Sequence, residues 1–161
     1  MAGEFETMLE IQATEWLNSP PIKFSDLRGK VVLLYAFQML CPGCVTHAGP
    51  QVQKAREFYS HDLLAVIGLH TVFEHHEAMR RESLKAYLYE FKYSYPVAID
   101  RHSGGNPLPD TMAALGLRGT PSFLLIDKLG RLRRHFFGRM EDLRLGTEIG
   151  LLIGEKYEQA G

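Results

Sequence analysis

The chain has 161 residues, 45% of them apolar, so it is long enough for one well-buried core and too short for two ordinary domains. Its formal net charge of -1, from 18 basic and 19 acidic residues, produces no overall field that would attract nucleic acid or an anionic membrane. The longest apolar run is only strand-sized, so we expect neither nucleic-acid binding nor membrane insertion.

The start of the chain lacks the pattern of a secretory signal. Glutamates interrupt the first ten residues, and the first basic residue is Lys23. We therefore expect a cytoplasmic location for the sequence as printed, and a periplasmic or other extracytoplasmic location if a leader has been removed. Cys41 and Cys44 are the two cysteines, so a framework of structural disulfides is not expected.

The first half of the chain predicts a βαβ unit. The run at 31–37, VVLLYAF, is continuous in apolar residues, which is typical of a central strand buried on both faces. Residues 45–59 have the pattern of a helix, and residues 63–69 have that of a second buried strand. This order implies parallel strands that are joined by a right-handed crossover.

The second half predicts further elements around the same sheet. In chain order they are a charged amphipathic stretch at about 77–91, a short apolar run at 96–99, a Gly- and Pro-rich loop at 103–109, a short helix at 110–115, a hairpin of strands 122–127 and 131–137, and a closing helix at about 140–153. Together they predict an α/β fold, a three-layer α/β/α sandwich around a mixed central sheet. We expect a single domain over residues 1–161, with a core from about 22 to 155 and an N-terminal extension.

The cysteines lie where the first predicted strand gives way to the first helix. In Cys41-Pro42-Gly43-Cys44, Cys41 falls near the helix N-cap, and Pro42 takes the first helical position, where a missing N–H donor is tolerated. Residues three apart share a helix face, which brings the two sulfurs within reach of a disulfide. Unpaired amide donors at a helix N-terminus favour negative charge, so we predict a lowered pKa and a nucleophilic role for Cys41. Cys44, one turn further in, is then the resolving thiol.

Two alternatives to redox chemistry are a chance pair of buried cysteines and half of a zinc site. A structural zinc site normally needs a second pair of ligands, and the sequence has no second CxxC. Common metal ligands also cluster after the second strand, at His70, Glu74, His75, His76 and Glu77, but adjacent histidines point to different faces. We interpret that cluster as a solvated loop, predict no metal site, and assign redox chemistry to the cysteine pair.

One long stretch of the sequence resembles a known family. Residues 24–50, which read FSDLRGKVVLLYAFQMLCPGCVTHAGP, resemble the TlpA-like and ResA-like branch of the thioredoxin superfamily, in the redoxin or AhpC/TSA group. The resemblance continues at Gly119-Thr120-Pro121 and the following SFLLID. It implies a thioredoxin-like thiol-disulfide oxidoreductase that exchanges electrons with protein thiols or disulfides and with an upstream donor or acceptor. The redox group would be the disulfide of the two cysteines, with no bound cofactor.

The resemblance also implies further site residues. Pro121 matches a proline that is cis in the family and lies beside the active-site sulfurs, so we expect it in the catalytic site. Thr120 matches the residue whose backbone pairs with a bound substrate strand. By the same resemblance we expect the substrate-binding surface to consist of Leu40, Pro42, Gly43, Thr120 and Pro121.

Departures from the family pattern affect the expected mechanism. Leu40 replaces the usual aromatic residue before the first cysteine, and Tyr35 stands where thioredoxin itself has a buried acid, so the usual proton acceptor is missing. His47 lies three residues after the second cysteine, where relatives often have a glutamate. An i, i+3 relation in a helix would place His47 on the face of Cys44, where it would relay protons or stabilise a thiolate. A solvated helical histidine is the alternative.

Two other functions stay open on the sequence. A peroxide reductase of the peroxiredoxin type would need Pro and Thr at positions 34 and 38 of its Pro-x-x-x-Thr-x-x-Cys signature, but the sequence has Leu34 and Gln38. A non-catalytic thioredoxin-like module would bind a partner or a metal through the same groove. Its binding would not depend on the dithiol, whereas an enzyme would lose its function on Cys41→Ser.

Overall fold

A computed structural model describes residues 9–158 of the chain. In chain order the main elements are β1 (Ala13–Leu17), β2 (Val31–Phe37), α1 (Gly49–Phe58), β3 (Leu64–His70), α2 (Arg81–Glu90), β4 (Val97–Asp100), α3 (Asp110–Ala114), β5 (Ser122–Ile126), β6 (Leu132–Phe137) and α4 (Asp142–Ile153). Within this range, no helix combines the length and the apolar character needed to cross a membrane.

The six strands of this range form one mixed sheet in the order β1-β4-β3-β2-β5-β6. Strands β2, β3 and β4 run parallel, as a βαβ unit requires. Strand β5 is antiparallel to β2, and β6 is antiparallel to β5, so the predicted C-terminal hairpin closes one side of the sheet. The predicted mixed sheet is therefore confirmed.

Strand β2 is the centre of the sheet because its side chains are apolar on both faces. All seven of its residues are buried. Leu33 and Tyr35 belong to a core that also includes residues of α1, α2 and α4, whereas Leu34 and Ala36 belong to a second core with residues of α3. Burying one such leucine contributes about 1.5–3 kcal/mol, so both faces stabilise this strand. Helices on both faces give the predicted three layers.

The N-terminal boundary of the predicted core is wrong. Residues 13–17, which lie before the expected boundary at about 22, form β1 and extend the sheet beyond β4. Trp16 and Leu17 pair antiparallel with Ala98 and Val97. The short segment ATEWL has no regular alternation of apolar residues, and its register is set by a strand about 80 positions later in the chain. The predicted N-terminal extension is therefore a strand of the fold.

The helix after the cysteines also differs from its prediction. Helical backbone begins at Pro42, and the segment Cys44–Ala48 forms a π-helical turn before α1. The turn closes with the Gly49 N–H, which donates to the Cys44 carbonyl five residues earlier. A side chain at Gly49 would be obstructed, because its Cβ would lie 2.8 Å from the Tyr93 hydroxyl oxygen. The widened turn thus depends on a glycine beside Tyr93.

The topology brings two distant loops to the same edge of the sheet. Strand β5 is antiparallel to β2, with Ser122 opposite Ala36, so the start of β5 lies beside the end of β2. The residues that precede β5 therefore meet the loop that follows β2. That loop carries the CxxC motif, and the segment before β5 carries Thr120 and Pro121.

Candidate active site

The Cys41 thiol lies against the Thr120–Pro121 segment. This peptide bond is cis, and the Cys41 Sγ is 3.4 Å from the Thr120 carbonyl oxygen. The Pro121 ring lies over Gly43, where a Cβ would be only 3.4 Å from the ring Cδ. Four of the residues that the sequence assigned to the site are therefore in one place, although almost 80 positions separate the two loops.

Cys41 is positioned to ionise. It precedes the first helical residue, and its sulfur accepts a hydrogen bond from the Cys44 amide at 3.4 Å. The pKa of Cys41 is lowered to about 6, first by the hydrogen bond from the Cys44 thiol and then by hydrogen bonds from Thr120 and the local amides, against an opposing effect of burial. The predicted direction is thus found, and at neutral pH most Cys41 is thiolate.

Cys44 has the opposite protonation preference. Its side chain is completely buried, while that of Cys41 is half-buried, and both are free thiols in this structure. The pKa of Cys44 is raised, because its proton is shared with the Cys41 sulfur and because burial disfavours a charge. Cys44 therefore holds a proton while Cys41 carries the negative charge.

A pH profile of thiol reactivity checks this division. We expect the alkylation rate of Cys41 to rise with pH around a midpoint of about 6, and Cys44 to stay unmodified, because only the thiolate reacts. The measurement is alkylation at a series of pH values, with the modified cysteine identified by mass spectrometry. A midpoint near the value of free cysteine, about 8.5, would contradict it.

The same ionisation is linked to the stability of the reduced protein. The folded pKa of Cys41 is depressed to about 6, below its unfolded value. The resulting stabilisation is therefore fully present above the unfolded pKa of about 8.5, and it is lost as the pH falls through about 6. The free energy of unfolding in denaturant should therefore rise with pH between about 6 and about 8.5 for the reduced chain, and it should rise less for Cys41→Ser.

His47 forms a hydrogen bond to a backbone carbonyl in the segment just before α4. Its Nε2 lies 2.7 Å from the Met140 carbonyl oxygen, and because a carbonyl can only accept, this nitrogen carries the hydrogen. The expectation that His47 shares a face with Cys44 assumed α-helical spacing, whereas the structure has a π-helical turn at Cys44–Ala48. The participation of His47 in proton transfer stays a prediction.

Tyr35 occupies the interior position next to the dithiol. It is fully buried, and its hydroxyl has no hydrogen-bond partner among the residues that the structure describes. Burial, together with the nearby Cys44, raises the pKa of Tyr35 well above its ordinary value. The phenol therefore stays protonated and cannot take the place of a carboxylate as proton acceptor.

Two buried polar side chains that sequence reasoning did not place in the site hold the loop before Cys41. The side chain of Gln38, which is 1% exposed, contacts both Thr120 and the loop after β3. The main-chain carbonyl of Gln38 accepts the Cys41 N–H at 3.0 Å. The His70 Nε2 accepts the Met39 N–H at 3.2 Å, and burial lowers the pKa of His70 to about 4, so the ring is neutral. The sequence feature that could have identified Gln38 and His70 is that each polar residue lies at the end of a predicted buried strand.

The suspected metal cluster is divided by the fold. His70 is buried at the end of β3 and faces Met39, whereas the other four members, Glu74 to Glu77, are exposed on the following loop. Within residues 9–158, no three His, Cys, Asp or Glu side chains are grouped as a metal site would require.

An accessible apolar surface surrounds the thiol. Leu40 is 50% exposed, and Pro42 and Gly43 are also exposed beside Cys41. Phe137, whose ring lies beside Gly119, is 51% exposed, and the Arg118 guanidinium lies 5.8 Å from the centre of that ring. A polypeptide that approaches Cys41 would therefore contact apolar residues.

Comparisons with known proteins agree with this geometry. The sequence model of the AhpC/TSA family matches residues 7–135. A solved thioredoxin-like superfamily protein is 53% identical, with a TM-score of 0.89 over 94% of this chain and 98% of its own. A thiol-disulfide isomerase from Corynebacterium glutamicum is 46% identical, with a TM-score of 0.90 over 92% of this chain and 97% of its own.

A curated relative is much longer than this chain. Protein DipZ of Mycobacterium bovis is 34% identical over 128 residues, which cover 78% of this chain. The chain spans only 17% of the length of DipZ.

Proposed function

The chain belongs to the AhpC/TSA family and is a thioredoxin-like thiol-disulfide oxidoreductase, and from this premise we propose that it exchanges electrons between the Cys41–Cys44 pair and the disulfides or thiols of partner proteins. The observation that carries the proposal is the placement of the two thiols: Cys41 is half-buried and its sulfur accepts the Cys44 N–H at 3.4 Å, whereas Cys44 is completely buried. These surroundings lower the pKa of Cys41 and raise that of Cys44. The difference supports Cys41 as the attacking thiol and Cys44 as the resolving thiol.

In the first step the Cys41 thiolate attacks one sulfur of a substrate disulfide. A bond forms between Cys41 and that sulfur, the substrate S–S bond breaks, and the other substrate sulfur leaves as a thiolate and takes up a proton. The substrate approaches over Leu40, Pro42 and Gly43, and the backbone of Thr120 aligns it beside Pro121. Cys41 is now neutral, so it no longer shares the proton of Cys44.

In the second step Cys44 loses its proton and attacks Cys41. The Cys41–Cys44 disulfide forms, and the second substrate sulfur leaves as a thiolate. Two electrons have passed from the dithiol to the substrate. The two product thiols take up the proton that Cys44 releases and one proton from solvent, which replaces the proton that Cys41 lost when it ionised. The reverse sequence oxidises a substrate dithiol, and an upstream donor or acceptor resets the pair. The dithiol is itself the redox group, and no bound cofactor is needed.

A stoichiometric exchange assay tests the proposal. We expect one equivalent of the reduced chain to reduce one equivalent of a peptide that carries an intramolecular disulfide, and to be recovered with Cys41 and Cys44 joined. The control is the same chain after alkylation at Cys41. Binding of the peptide without any change of redox state, by intact and alkylated protein alike, would instead favour a non-catalytic module.

Peroxide reduction is expected to be weak. The position where peroxiredoxins orient the peroxide with a threonine holds Gln38, whose amide is already engaged by Thr120 and Phe73. We therefore expect hydrogen peroxide to be consumed no faster than by a free thiol of equally low pKa, measured as peroxide loss with the reduced chain. Rapid consumption that depends on Cys41 alone would favour a peroxide reductase.

A further inference from the structure

The side-chain amide of Gln38 has its orientation set by the backbone. Its Oε1 lies 3.2 Å from the Phe73 backbone nitrogen, which can only donate a hydrogen bond. The oxygen of the amide therefore faces Phe73, and Nε2 faces the Thr120 hydroxyl at 3.4 Å. Since Gln38 is only 1% exposed, water does not compete for these contacts.

The Thr120 hydroxyl is consequently an acceptor from Gln38 with its own hydrogen still available. The same residue is next to the catalytic sulfur, because its carbonyl oxygen lies 3.4 Å from the Cys41 Sγ. A hydrogen bond from the Thr120 side chain is one of the interactions that lower the pKa of Cys41. The hydroxyl hydrogen is thus free for donation within the site, and the amide of Gln38 fixes the side chain that carries it.

We propose that Gln38 is a positioning residue for the catalytic thiol: its amide orients the Thr120 hydroxyl so that this hydroxyl donates to the Cys41 thiolate. The backbone of Gln38 also holds Cys41, since the main-chain carbonyl of Gln38 accepts the Cys41 N–H at 3.0 Å. Hydrogen bonds to a charged acceptor are stronger than those to a neutral one. The series of hydrogen bonds from Gln38 through Thr120 to Cys41 therefore favours the thiolate over the thiol. This inference rests on the proposed function, because it assigns the thiolate to disulfide exchange.

A merely structural role for Gln38 is distinguishable from this one. In that case the amide would only tie the loop after β3 to the segment before β5, and its loss would lower the stability of the protein without changing the ionisation of Cys41. The decisive readout is therefore the pKa of Cys41, taken from thiolate absorbance and from alkylation rate against pH.

The variants are Gln38→Met, Thr120→Val and the double variant, each of which removes hydrogen bonding at nearly constant size. We expect either single variant to raise the pKa of Cys41 and to slow its alkylation at about pH 5 by about tenfold. The double variant should raise the pKa of Cys41 no further than the larger single variant does, because both substitutions interrupt the same series of hydrogen bonds. Thr120→Ser keeps the hydroxyl and should retain the wild-type profile.

The matched control is Gln51→Met. Gln51 is also buried, at 4% exposure, but its amide donates to the Met140 carbonyl and to Asp142, both at 2.8 Å. We expect its variant to lose stability and to keep the Cys41 profile unchanged. If Gln38→Met does not fold, the Thr120→Val and Thr120→Ser pair decides, since only the former should move the profile.

Two results would overturn the inference. One is a Gln38→Met or Thr120→Val profile that superimposes on those of wild type and Gln51→Met, and the other is a double variant whose effect is the sum of the two single effects. Failure of the proposed function would look different. The wild type would then show a low Cys41 pKa that depends on Gln38 and Thr120, yet it would not reduce the peptide disulfide.

Discussion

Replacing Cys41 with serine is expected to abolish disulfide exchange, by on the order of a thousandfold or more, because a serine hydroxyl does not ionise at neutral pH and is no substitute for a thiolate. Replacing Cys44 has a different expected result. Cys41 should still attack the substrate, but the resolving thiol is gone, so a mixed disulfide between Cys41 and the substrate should accumulate. Non-reducing electrophoresis and mass spectrometry of the adduct measure both outcomes.

The two cysteine variants need different controls because the residues differ in burial. Cys41 is half-buried, so its serine variant should fold normally. Cys44 is completely buried, and a hydroxyl without a partner there would cost about 1–3 kcal/mol, so Cys44→Ala is the companion to Cys44→Ser. Both Cys44 variants should trap the same adduct. An adduct that forms through Cys44 in Cys41→Ser, and not through Cys41 in the Cys44 variants, would reverse the roles.

Replacing Gly49 with alanine is expected to destabilise the protein by about 1–3 kcal/mol, even though alanine is the better helix former. The new Cβ would lie 2.8 Å from the Tyr93 hydroxyl oxygen and 2.9 Å from the Cys44 carbonyl oxygen. The carbonyl is backbone and belongs to the π-helical turn, so relieving the clash moves the resolving cysteine. We expect a lower free energy of unfolding, measured in denaturant, together with slower decay of a preformed mixed disulfide.

Gly150 offers a matched control for this prediction. It lies within α4, and a Cβ there would meet nothing within 4 Å, so Gly150→Ala should stabilise the protein by about 0.5–1 kcal/mol. Adding Tyr93→Phe to Gly49→Ala removes one of the two close contacts and should recover part of the loss. Stabilisation by Gly49→Ala to the same extent as by Gly150→Ala would mean that the turn adapts freely to a side chain.

Local sequence patterns were sufficient where one segment carries its own signal. The apolar run of β2 occupies the predicted residues, 31–37, because a strand covered on both faces needs a continuous apolar segment. The CxxC motif is similarly self-contained. Its spacing, the proline at the first helical position and the strand before it predict a lowered pKa at Cys41 from local geometry alone.

Patterns failed where an element depends on a remote partner. Strand β1 has only weak strand character, and pairing with β4 decides its structure. The π-helical turn likewise leaves no room for a side chain at Gly49, which lies beside Tyr93, and no helical periodicity in residues 45–59 reveals this contact. The relation expected between His47 and Cys44 assumed regular helical spacing, which the π-helical turn interrupts.

The sequence by itself therefore determined the fold class, the redox pair and which of its two thiols has the lowered pKa, because each follows from residues close together in the chain. Only the tertiary structure decided what surrounds that pair. Strand β5 places Thr120 against Cys41 by antiparallel pairing with β2, and Gln38 can reach Thr120 and Phe73 together only once both loops converge. A hydrogen bond between groups about 80 residues apart depends on the packing of the whole sheet, and no local pattern encodes it.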